Sequence, residues 1–280
     1  MNSKKTSVNV FYGPRKEFEN LIKSKKNKEF FTAIVQEYDD ETKAIHHVVE
    51  GQPLEQKKHV KRKITNLIIN SDEYSTITEG AIQNFTSIID YYDINNIYLQ
   101  NPPYIIAEKI KKVYSKYVES HYQYKSIDID VIKQINNKYS NNIIGQDLAK
   151  KYLLKNMLSF DKFKSLKKPI VLMFYGPSGV GKTETARFIS NILDEELFYK
   201  QFSMFQNNEF ANYLFGGQHS QNSFAKELLD RESNVILLDE FDKANKVFYS
   251  AFYQFFDEGI YKECKAIFEK YQQYIKEIDR

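Results

Sequence analysis

A glycine-rich segment that ends in a lysine and a hydroxyl residue is the part of the sequence best suited to chemistry. Residues 176–183 read GPSGVGKT and match the whole spacing G-x-x-x-x-G-K-[ST]. Glycines let a backbone wrap closely around a phosphate group, with its N–H groups pointing inward. In that setting Lys182 is expected to reach the β- and γ-phosphate oxygens of a nucleotide, and the Thr183 hydroxyl is expected to bind Mg²⁺.

The sequence around this segment favours the phosphate-binding interpretation. The apolar run at 169–175 predicts a buried parallel strand, and the pattern from Lys182 to Leu193 predicts an amphipathic helix. A helix N-terminus adds partial positive charge at the same place. A glycine-rich turn before a surface lysine would share the spacing without this context. We therefore predict an ATP-binding loop formed by Gly176, Pro177, Ser178, Gly179, Val180, Gly181, Lys182, Thr183 and Glu184.

A second chemical feature is a pair of carboxylates at the end of another predicted strand. Asp239 and Glu240 follow the apolar run Asn234 to Leu238. Ligands of open α/β sheets bind at the carboxyl ends of strands. Asp239 is expected to hold Mg²⁺ through water, and Glu240 to polarise the water that attacks the γ-phosphate. The alternative, a cap for the next helix, fits Asp242 better because it directly precedes that helix.

These motifs, with NNIIGQDLAKKYL upstream, resemble the AAA+ ATPase module, and most closely its Clp-type unfoldase branch, which also includes torsin-like proteins. The resemblance covers residues 139–262. It implies that Ile143, Ile144 and Gly145 lie near the adenine and that Gln146 begins the adjacent helix. It also implies ATP hydrolysis to ADP and phosphate, with Glu240 and Lys182 as catalytic residues, Thr183 and Asp239 as metal ligands, and ATP and Mg²⁺ as cofactors. A protein partner and a homo-oligomer are implied as well.

Three elements of that family are not visible in the sequence. These are an arginine finger, a sensor strand and a helical lid. After Glu240 the only arginine is Arg280, which leaves no well-placed candidate for the finger in that part of the sequence. Residues 262–280 have the apolar spacing of a helix. Arg187 and Arg231 are the remaining candidates for an arginine donated to a neighbouring copy. An arginine finger is worth a factor of about 10³ to 10⁵ in phosphoryl-transfer rate, so binding is expected to survive better than turnover.

The loop that grips polypeptide in Clp-type rings also lacks its usual aromatic-Val-Gly sequence here. The segment Asn212 to Phe224 offers Tyr213 to Gly216 as a substitute, but helix packing is the preferred interpretation for these residues. Two functions therefore stay open. One is an ATP-hydrolysing protein acting on a protein partner, and the other is a nucleotide-binding interaction module with little turnover.

Residues 1–138 are predicted to form a separate mixed α/β domain that recognises the partner, and residues 139–280 a P-loop NTPase (AAA+) parallel sheet with flanking helices that is incomplete at its C-terminal side. In the first domain, 31–37 and 44–49 predict a hairpin, and 105–118 predicts a helix. The tetrapeptide FYGP at 11–14 recurs at 174–177. Because the first copy lacks a following Gly-Lys-Thr, we interpret it as a coincidence of a strand running into a turn.

Composition restricts the class of protein. The net charge of +3 is too small to indicate a nucleic-acid or membrane partner, and only the run Lys57 to Lys63 argues for DNA. A single cysteine, Cys264, fits a reducing compartment. The first ten residues lack a signal-peptide core, and no apolar run reaches the ~18 residues of a membrane span. The expected location is the cytoplasm.

Overall fold

The computed structural model describes residues 6–45, 60–162, 169–204, 213, 223–244, 249–258, 261–263, 266–268 and 273–278. Contacts within the chain divide it into two units. Of the described residues, those up to Tyr122 form unit 1, and those from Gln123 onwards form unit 2. Among the described helices, none is both long enough and apolar enough to cross a bilayer.

Unit 1 is built on a five-stranded parallel sheet. Its strands lie in the order β2-β3-β4-β1-β5, and every pair is parallel. The last four residues of β3 and of β4 are all buried, as expected where helices cover a sheet on both sides. The strands are β1 (Ser7–Tyr12), β2 (Lys28–Phe30), β3 (Lys63–Ile69), β4 (Asp93–Gln100) and β5 (Lys116–His121).

Six helices accompany this sheet. Phe18 and Ile22 of the first helix pack with Phe11, Ile68 and Tyr98 in one small cluster, whereas the other five helices contribute to a larger core with residues of β1, β3 and β4. The helices are α1 (Arg15–Ile22), α2 (Phe31–Ile45), α3 (Glu73–Thr76), α4 (Glu79–Gln83), α5 (Phe85–Asp90) and α6 (Tyr104–Val113).

Two local predictions for unit 1 are wrong. The segment 31–45 is helix α2 and not part of a hairpin, because Phe31, Ile34 and Val35 form a helical stripe that is buried in the larger core. Residues 46–49 of the predicted hairpin lie outside the described residues. Helix α6 ends at Val113, before the predicted end at Val118, because the next residues form β5 and pair with the whole of β1.

Unit 2 contains a four-stranded parallel sheet in the order β6-β11-β8-β7 and a short antiparallel pair, β9 with β10. The strands are β6 (Ile170–Tyr175), β7 (Phe198–Gln201), β8 (Ile236–Asp239), β9 (Tyr261–Glu263), β10 (Ala266–Phe268) and β11 (Gln273–Ile278). The helices are α7 (Ile129–Asn142), α8 (Asp147–Lys162), α9 (Lys182–Leu193), α10 (Phe224–Asp230) and α11 (Tyr249–Glu258), with 3-10 turns at Phe202–Met204 and Phe241–Lys243.

Strand β8 lies between the two cores of unit 2. Leu237 packs with residues of α7, α8 and α9, whereas Ile236 and Leu238 pack on the other side with an aromatic cluster from α10 and α11. This alternation is the period of two that a strand imposes. The architecture is the α/β fold predicted for the AAA+ module, with a parallel sheet and flanking helices.

Helix α7 belongs to unit 2. Its buried residues Ile132, Ile135 and Tyr139 share a core cluster with Phe188 of α9, and the Tyr139 ring meets the Phe188 ring edge to face at 5.7 Å. The structure therefore divides between Tyr122 and Gln123, earlier in the chain than the sequence-based boundary between residues 138 and 139.

The helix predicted for residues 262–280 is also wrong. The described backbone in this range forms β9, β10 and β11, and β11 lies between β6 and β8 in parallel register with both. Without a strand in that position, the inner edges of β6 and β8 would lack main-chain partners. Unit 2 thus contains a strand, β11, after α11. The sequence alone did not reveal a strand in this part of the chain, where the resemblance leads one to expect the sensor strand. Cys264 and Gly259 lie outside the described residues.

Candidate nucleotide-binding site

The glycine-rich loop connects β6 to α9, as its sequence predicts. Gly176, Gly179 and Gly181 have φ angles of 146°, 80° and 91°, which side chains on a Cβ rarely allow. A Cβ added at Gly176 or Gly179 would meet no heavy atom within 4 Å, so no other described part of the chain covers the loop at these two positions. At Gly181 the same atom would lie 3.3 Å from Cγ2 of Ile143. The loop therefore has room for a ligand at its centre and is packed where it enters the helix.

Lys182 is the first residue of α9, and its ammonium group lies inside the loop. The residue is only 8% exposed, and its Nζ donates to the carbonyl oxygens of Gly176 at 2.9 Å and Pro177 at 3.0 Å. Burial of a positive charge is costly unless anions or carbonyl oxygens surround it. The N-terminal amides of α9 and this ammonium together concentrate positive charge at the loop.

Two residues that the sequence did not single out fix the end of the loop. Thr185 donates its hydroxyl proton to the Gly181 carbonyl at 2.8 Å, and the Tyr139 hydroxyl lies 3.3 Å from the same threonine oxygen. Because Thr185 has one hydroxyl proton, Tyr139 is the donor in the second bond. Burial raises the pKa of Tyr139, which keeps its hydroxyl protonated. The sequence could have indicated the first bond, because a threonine in a helix often donates its hydroxyl proton to the carbonyl four residues earlier, and Thr185 lies four residues after Gly181.

The two carboxylates lie at the carboxyl end of β8 and are held by side chains of β7. Tyr199 donates to Asp239 Oδ2 at 2.9 Å, and Gln201 donates from Nε2 to Glu240 Oε2 at 2.9 Å. Asp239 Oδ1 accepts the Glu240 amide, also at 2.9 Å. Glu240 has a φ angle of 49°, a left-handed conformation that turns the chain sharply after the strand. Tyr199 and Gln201 were not predicted from the sequence.

Sheet topology brings the loop and the carboxylates to one edge. Because β6, β11 and β8 are parallel, Tyr175 and Asp239 both end their strands at the same side of the sheet. One strand separates β6 from β8, and neighbouring strands lie about 4.8 Å apart, which places the two strand ends roughly 10 Å from each other. This span suits a site that holds phosphate groups and a metal ion between the loop and the carboxylates.

The predicted adenine neighbours take different positions. Ile143 is buried and packs against the end of the glycine-rich loop, whereas Ile144 is 86% exposed. Gly145 has a φ angle of 75° and turns the chain into α8, whose first turn is closed by a bond from the Lys150 amide to the Gln146 carbonyl. Glu184 is exposed on α9.

The two candidate arginines also differ. Arg231 is 4% exposed, its guanidinium lies 4.4 Å from the Tyr124 ring centre, and it donates to the Leu228 carbonyl. It is therefore held inside its own unit and does not suit an arginine donated to a neighbour. Arg187 is exposed on α9.

Most of the segment 212–224 lies outside the described residues. Tyr213 is described, and it packs edge to face on buried Phe224 with ring centres 6.1 Å apart while donating to Glu227. These contacts agree with helix packing for this residue.

The donor groups at the sheet edge suit Mg²⁺. This ion takes oxygen ligands and is usually bound through one or two protein groups plus phosphates and water. Thr183 supplies a hydroxyl at the start of α9, and Asp239 supplies a half-buried carboxylate at the end of β8. The open loop and these oxygen atoms fit a Mg²⁺–triphosphate group.

Comparison with known proteins agrees with this geometry. A family model described as Torsin matches residues 117–232. The chain is 30% identical over 143 residues to the chaperone protein ClpB of Yersinia enterocolitica, an alignment that covers 47% of the chain and 16% of ClpB. It is 29% identical over 147 residues to the AAA+ ATPase ClpV1 of Pseudomonas aeruginosa, covering 49% of the chain and 16% of ClpV1.

A third relative is the ATP-dependent Clp protease ATP-binding subunit ClpL of Staphylococcus aureus, at 29% identity over 147 residues, 47% of the chain and 20% of ClpL. The chain thus aligns with a fifth or less of the length of each of these three relatives. The motifs, the fold of unit 2 and these similarities agree, and they identify the module in unit 2 as an AAA+ ATPase module of the Clp and torsin type.

Proposed function

We propose that unit 2 binds Mg·ATP, hydrolyses it to ADP and phosphate, and thereby acts on a protein partner. The observation that carries this proposal is the buried Lys182 ammonium, which lies inside an open glycine loop at the same sheet edge as Asp239 and Glu240. A buried cation beside an open cavity is stabilised by an anion, and a triphosphate is the anion that matches the loop and the two carboxylates.

Binding uses groups that are already in place. Lys182 Nζ exchanges the Gly176 and Pro177 carbonyl oxygens for phosphate oxygens, and the loop amides donate to the same group. Thr185 and Tyr139 hold the Gly181 carbonyl, so the entry into α9 does not move when the ligand arrives. Thr183 and Asp239 supply the protein oxygen atoms for the metal ion.

The chemical step is assigned to Glu240. When bound, Mg²⁺ neutralises charge on the triphosphate. Glu240 accepts a proton from a water molecule whose oxygen attacks the γ-phosphorus, and the bond from that phosphorus to the β-γ bridging oxygen breaks. Gln201 orients Glu240 through its amide, and Lys182 stabilises the charge that develops on the phosphate oxygens.

ATP binding is tested with a fluorescent ATP analogue and Mg²⁺. Lys182→Ala is expected to weaken binding roughly ten- to a hundredfold, the effect of losing a charge-assisted contact of about 1.5–3 kcal/mol. Lys155→Ala, at an exposed position of α8, is the matched control and is expected to bind like the unchanged protein. Equal affinity in all three proteins would overturn the proposal for the loop.

Hydrolysis is tested by phosphate release under steady-state conditions. Glu240→Gln is expected to retain ATP binding and to lose turnover by at least about a hundredfold, as expected when a general base is removed. Gln201→Ala is expected to lower turnover less, since it frees the orientation of Glu240 without removing the carboxylate. Unchanged turnover in Glu240→Gln would exclude the proposed role.

Action on a protein partner is proposed from the relatives, one of which is named a chaperone and another a protease ATP-binding subunit. We assign unit 1, which is the part of the predicted domain 1–138 that precedes Gln123, to partner recognition and expect nucleotide-dependent homo-oligomers. Sedimentation velocity of Glu240→Gln tests the assembly: the sedimentation coefficient is expected to rise with Mg·ATP and to stay at the monomer value without it. Monomers under both conditions, at saturating ATP, would contradict the assembly.

The observation on Arg231 favours a second candidate function, a nucleotide-binding interaction module with little turnover. Its guanidinium is packed on Tyr124 inside unit 2, so this arginine is not offered to the nucleotide of a neighbouring copy. Under this alternative, the phosphate-release assay gives the same low rate for the unchanged protein and Glu240→Gln while both bind ATP. A clear difference between the two rates excludes it.

A further inference from the structure

The sheets of the two units share one strand order. When the strands of the four-stranded sheet of unit 2 are numbered in chain order, they lie in the order first, fourth, third, second: β6, β11, β8, β7. Unit 1 runs β1, β4, β3, β2 in the same sense, with β5 added beside β1. All these strands are parallel, and in both units the first strand ends in Phe-Tyr, is followed by Gly-Pro and leads into a helix.

The strand registers agree as well. If the two FYGP segments are equated, Phe11 corresponds to Phe174. Phe11 lies opposite Gln100 on β4, and Phe174 lies opposite Glu277 on β11. The residues that precede these, Leu99 and Lys276, lie opposite Ile69 on β3 and Leu238 on β8.

It follows that the two residues after Ile69 correspond to the two carboxylates after Leu238. Asn70 stands in the place of Asp239, and Ser71 in the place of Glu240. The two FYGP segments, which the sequence suggested were a coincidence of a strand running into a turn, stand at the end of the corresponding strand in each sheet. The sequence did not show this because the copies share a short turn and no catalytic residues.

The phosphate-binding part of unit 1 is shortened. Helix α9 begins six residues after Gly176, whereas α1 begins two residues after Gly13. The segment after Gly13 reads Pro-Arg-Lys-Glu-Phe and contains neither a second glycine nor a Lys-Thr pair. The concave loop that unit 2 offers to a triphosphate is absent from this described part of unit 1.

Amide side chains of unit 1 fill the remaining space. Asn101 accepts the Gly13 amide through Oδ1 at 2.9 Å and donates from Nδ2 to the Gly13 carbonyl at 3.0 Å. Gln100 is fully buried, donates to the same carbonyl at 3.0 Å, and accepts the Ser71 amide at 3.3 Å. Gln100 thus connects the turn after β1 to the end of β3, the same two points between which the triphosphate is proposed to lie in unit 2.

The carboxylate near this edge is also used internally. Glu73 is buried, and one of its oxygens accepts the amide and the hydroxyl of Thr32, both at 3.1 Å. Its other oxygen accepts the Asn70 amide at 3.2 Å. One oxygen thus binds the start of α2 and the other binds the residue after β3. This carboxylate holds the two elements together and is not directed at a metal ion.

We infer that residues 6–122 are a second copy of the P-loop architecture, in which an amide clamp formed by Gln100 and Asn101 closes the former nucleotide site. Each chain then binds one nucleotide, in unit 2, and unit 1 is a non-catalytic copy of the same fold. A Cβ on Gly13 would lie 2.4 Å from Tyr122 Cβ, so the turn is packed closed rather than open as at Gly176.

The number of sites is tested on the full chain with a photoreactive ATP analogue, followed by peptide mapping. Label is expected on peptides of unit 2, and none is expected on the peptide containing Gly13 or on that containing Asn70. ATP-competable label on either unit 1 peptide would overturn the inference. If no peptide of the chain were labelled, the closed site of unit 1 would stand while the ATP binding proposed for unit 2 would fail, so the two outcomes are distinguishable.

The clamp is tested by hydrogen exchange of the Gly13 amide. Asn101 has a φ angle of 46°, so Asn101→Gly removes the side chain without adding backbone strain. The Gly13 amide is expected to exchange about tenfold faster or more, because one hydrogen bond of about 1.4 kcal/mol is lost. Asn27→Gly is the matched control, since Asn27 has a φ angle of 50° and is exposed.

A second variant separates the clamp from a general loosening of unit 1. Asn101→Asp keeps the oxygen that accepts the Gly13 amide and tolerates the same backbone conformation, while it replaces the Nδ2 donor to the Gly13 carbonyl by an oxygen. It is expected to leave the Gly13 amide protected to within about threefold, a range of roughly 0.7 kcal/mol. Equal exchange of Gly13 in the unchanged protein and in Asn101→Gly would overturn the clamp.

Discussion

Thr185 shows how a single side chain holds the glycine-rich loop in position. Its hydroxyl donates to the Gly181 carbonyl and accepts from Tyr139, at a place where α7 and α9 meet. The sequence could predict Lys182 and Thr183 because their spacing is fixed by the phosphate they serve. It could not predict Tyr139, Tyr199 or Gln201, because these donors come from elements that only the fold brings close.

Thr185→Val tests this role, because valine keeps the shape and removes the hydroxyl. The Tyr139 hydroxyl would lose a buried partner, while the Gly181 carbonyl would keep its bond from the Thr185 amide, and the free energy of unfolding of unit 2 is expected to fall by about 1–3 kcal/mol. Denaturant unfolding measures the change. Thr185→Ser, which retains the hydroxyl, is expected to lose less than half as much, and equal losses in both variants would show that the methyl group matters instead.

Glu73 provides a pH-dependent test in unit 1. Burial raises the pKa of its carboxyl above the ordinary value of 4.5, although bonds from Thr32 and Asn70 oppose the shift. Because the folded pKa is the higher one, the stabilising contribution is fully present below about pH 4.5 and is lost as the pH rises through the folded pKa.

In the unchanged protein, the stability of unit 1 is expected to fall from about pH 4.5 until the pH exceeds the raised folded pKa of Glu73. In Glu73→Gln this fall is expected to be absent. Hydrogen exchange of unit 1 amides at a series of pH values gives the slope of the free energy of unfolding against pH. This slope is a better measure of the Glu73 contribution than the absolute free energy. Glu79→Gln, at an exposed position in α4, should keep the slope of the unchanged protein. The same slope in Glu73→Gln would refute the assignment to Glu73.

At the scale of elements, strands with strong apolar runs and helices with clear stripes were predictable, and elements decided by pairing were not. Strands β6 and β8 and helix α9 agree with the strand and helix that their patterns predict. Strand β5 was not predicted because its side chains are mostly exposed and β1 supplies its bonding partners. Strand β11 was missed because its apolar residues have the spacing of a helix. It is a strand because it pairs with β6 on one side and β8 on the other, which the local sequence does not reveal.

Helix α2 is the element in which local sequence was most misleading. Its polar segment around Asp39 and Asp40 looks like a turn, yet Ile34 is fully buried in the unit 1 core. Ile34→Ala is expected to lower the free energy of unfolding of unit 1 by about 2–5 kcal/mol, the usual cost of a cavity in a packed core. Gln36→Ala, at an exposed position two residues later, is expected to change it by less than about 0.5 kcal/mol. Similar values for both variants would indicate that α2 does not pack on the core.

At the scale of the whole molecule, the described core residues fall into clusters that belong either to unit 1 or to unit 2. Two clusters contain only residues between Val8 and Tyr122, and the other two contain only residues between Ile127 and Phe256. Each unit thus has the buried apolar surface of an independent domain. A chain with two such cores and one open nucleotide loop should respond to ligand in one unit only.

Hydrogen exchange with and without Mg·ATP measures that response across the chain. A ligand at a hundred times its dissociation constant stabilises the folded unit that binds it by about 2.7 kcal/mol, so slowly exchanging amides of β6, α9 and β8 are expected to gain up to roughly a hundredfold protection. Amides of β1, β3 and β4 are expected to change by less than about twofold, because their loop is closed and their cores contain no residue of unit 2. At the same ATP concentration, Lys182→Ala is expected to reduce the response in unit 2 because it binds ATP more weakly, and it serves as the control. If protection instead rose first in β1 and β3, the nucleotide would bind in unit 1. That result would contradict the proposed roles of the open loop in unit 2 and the clamped turn in unit 1.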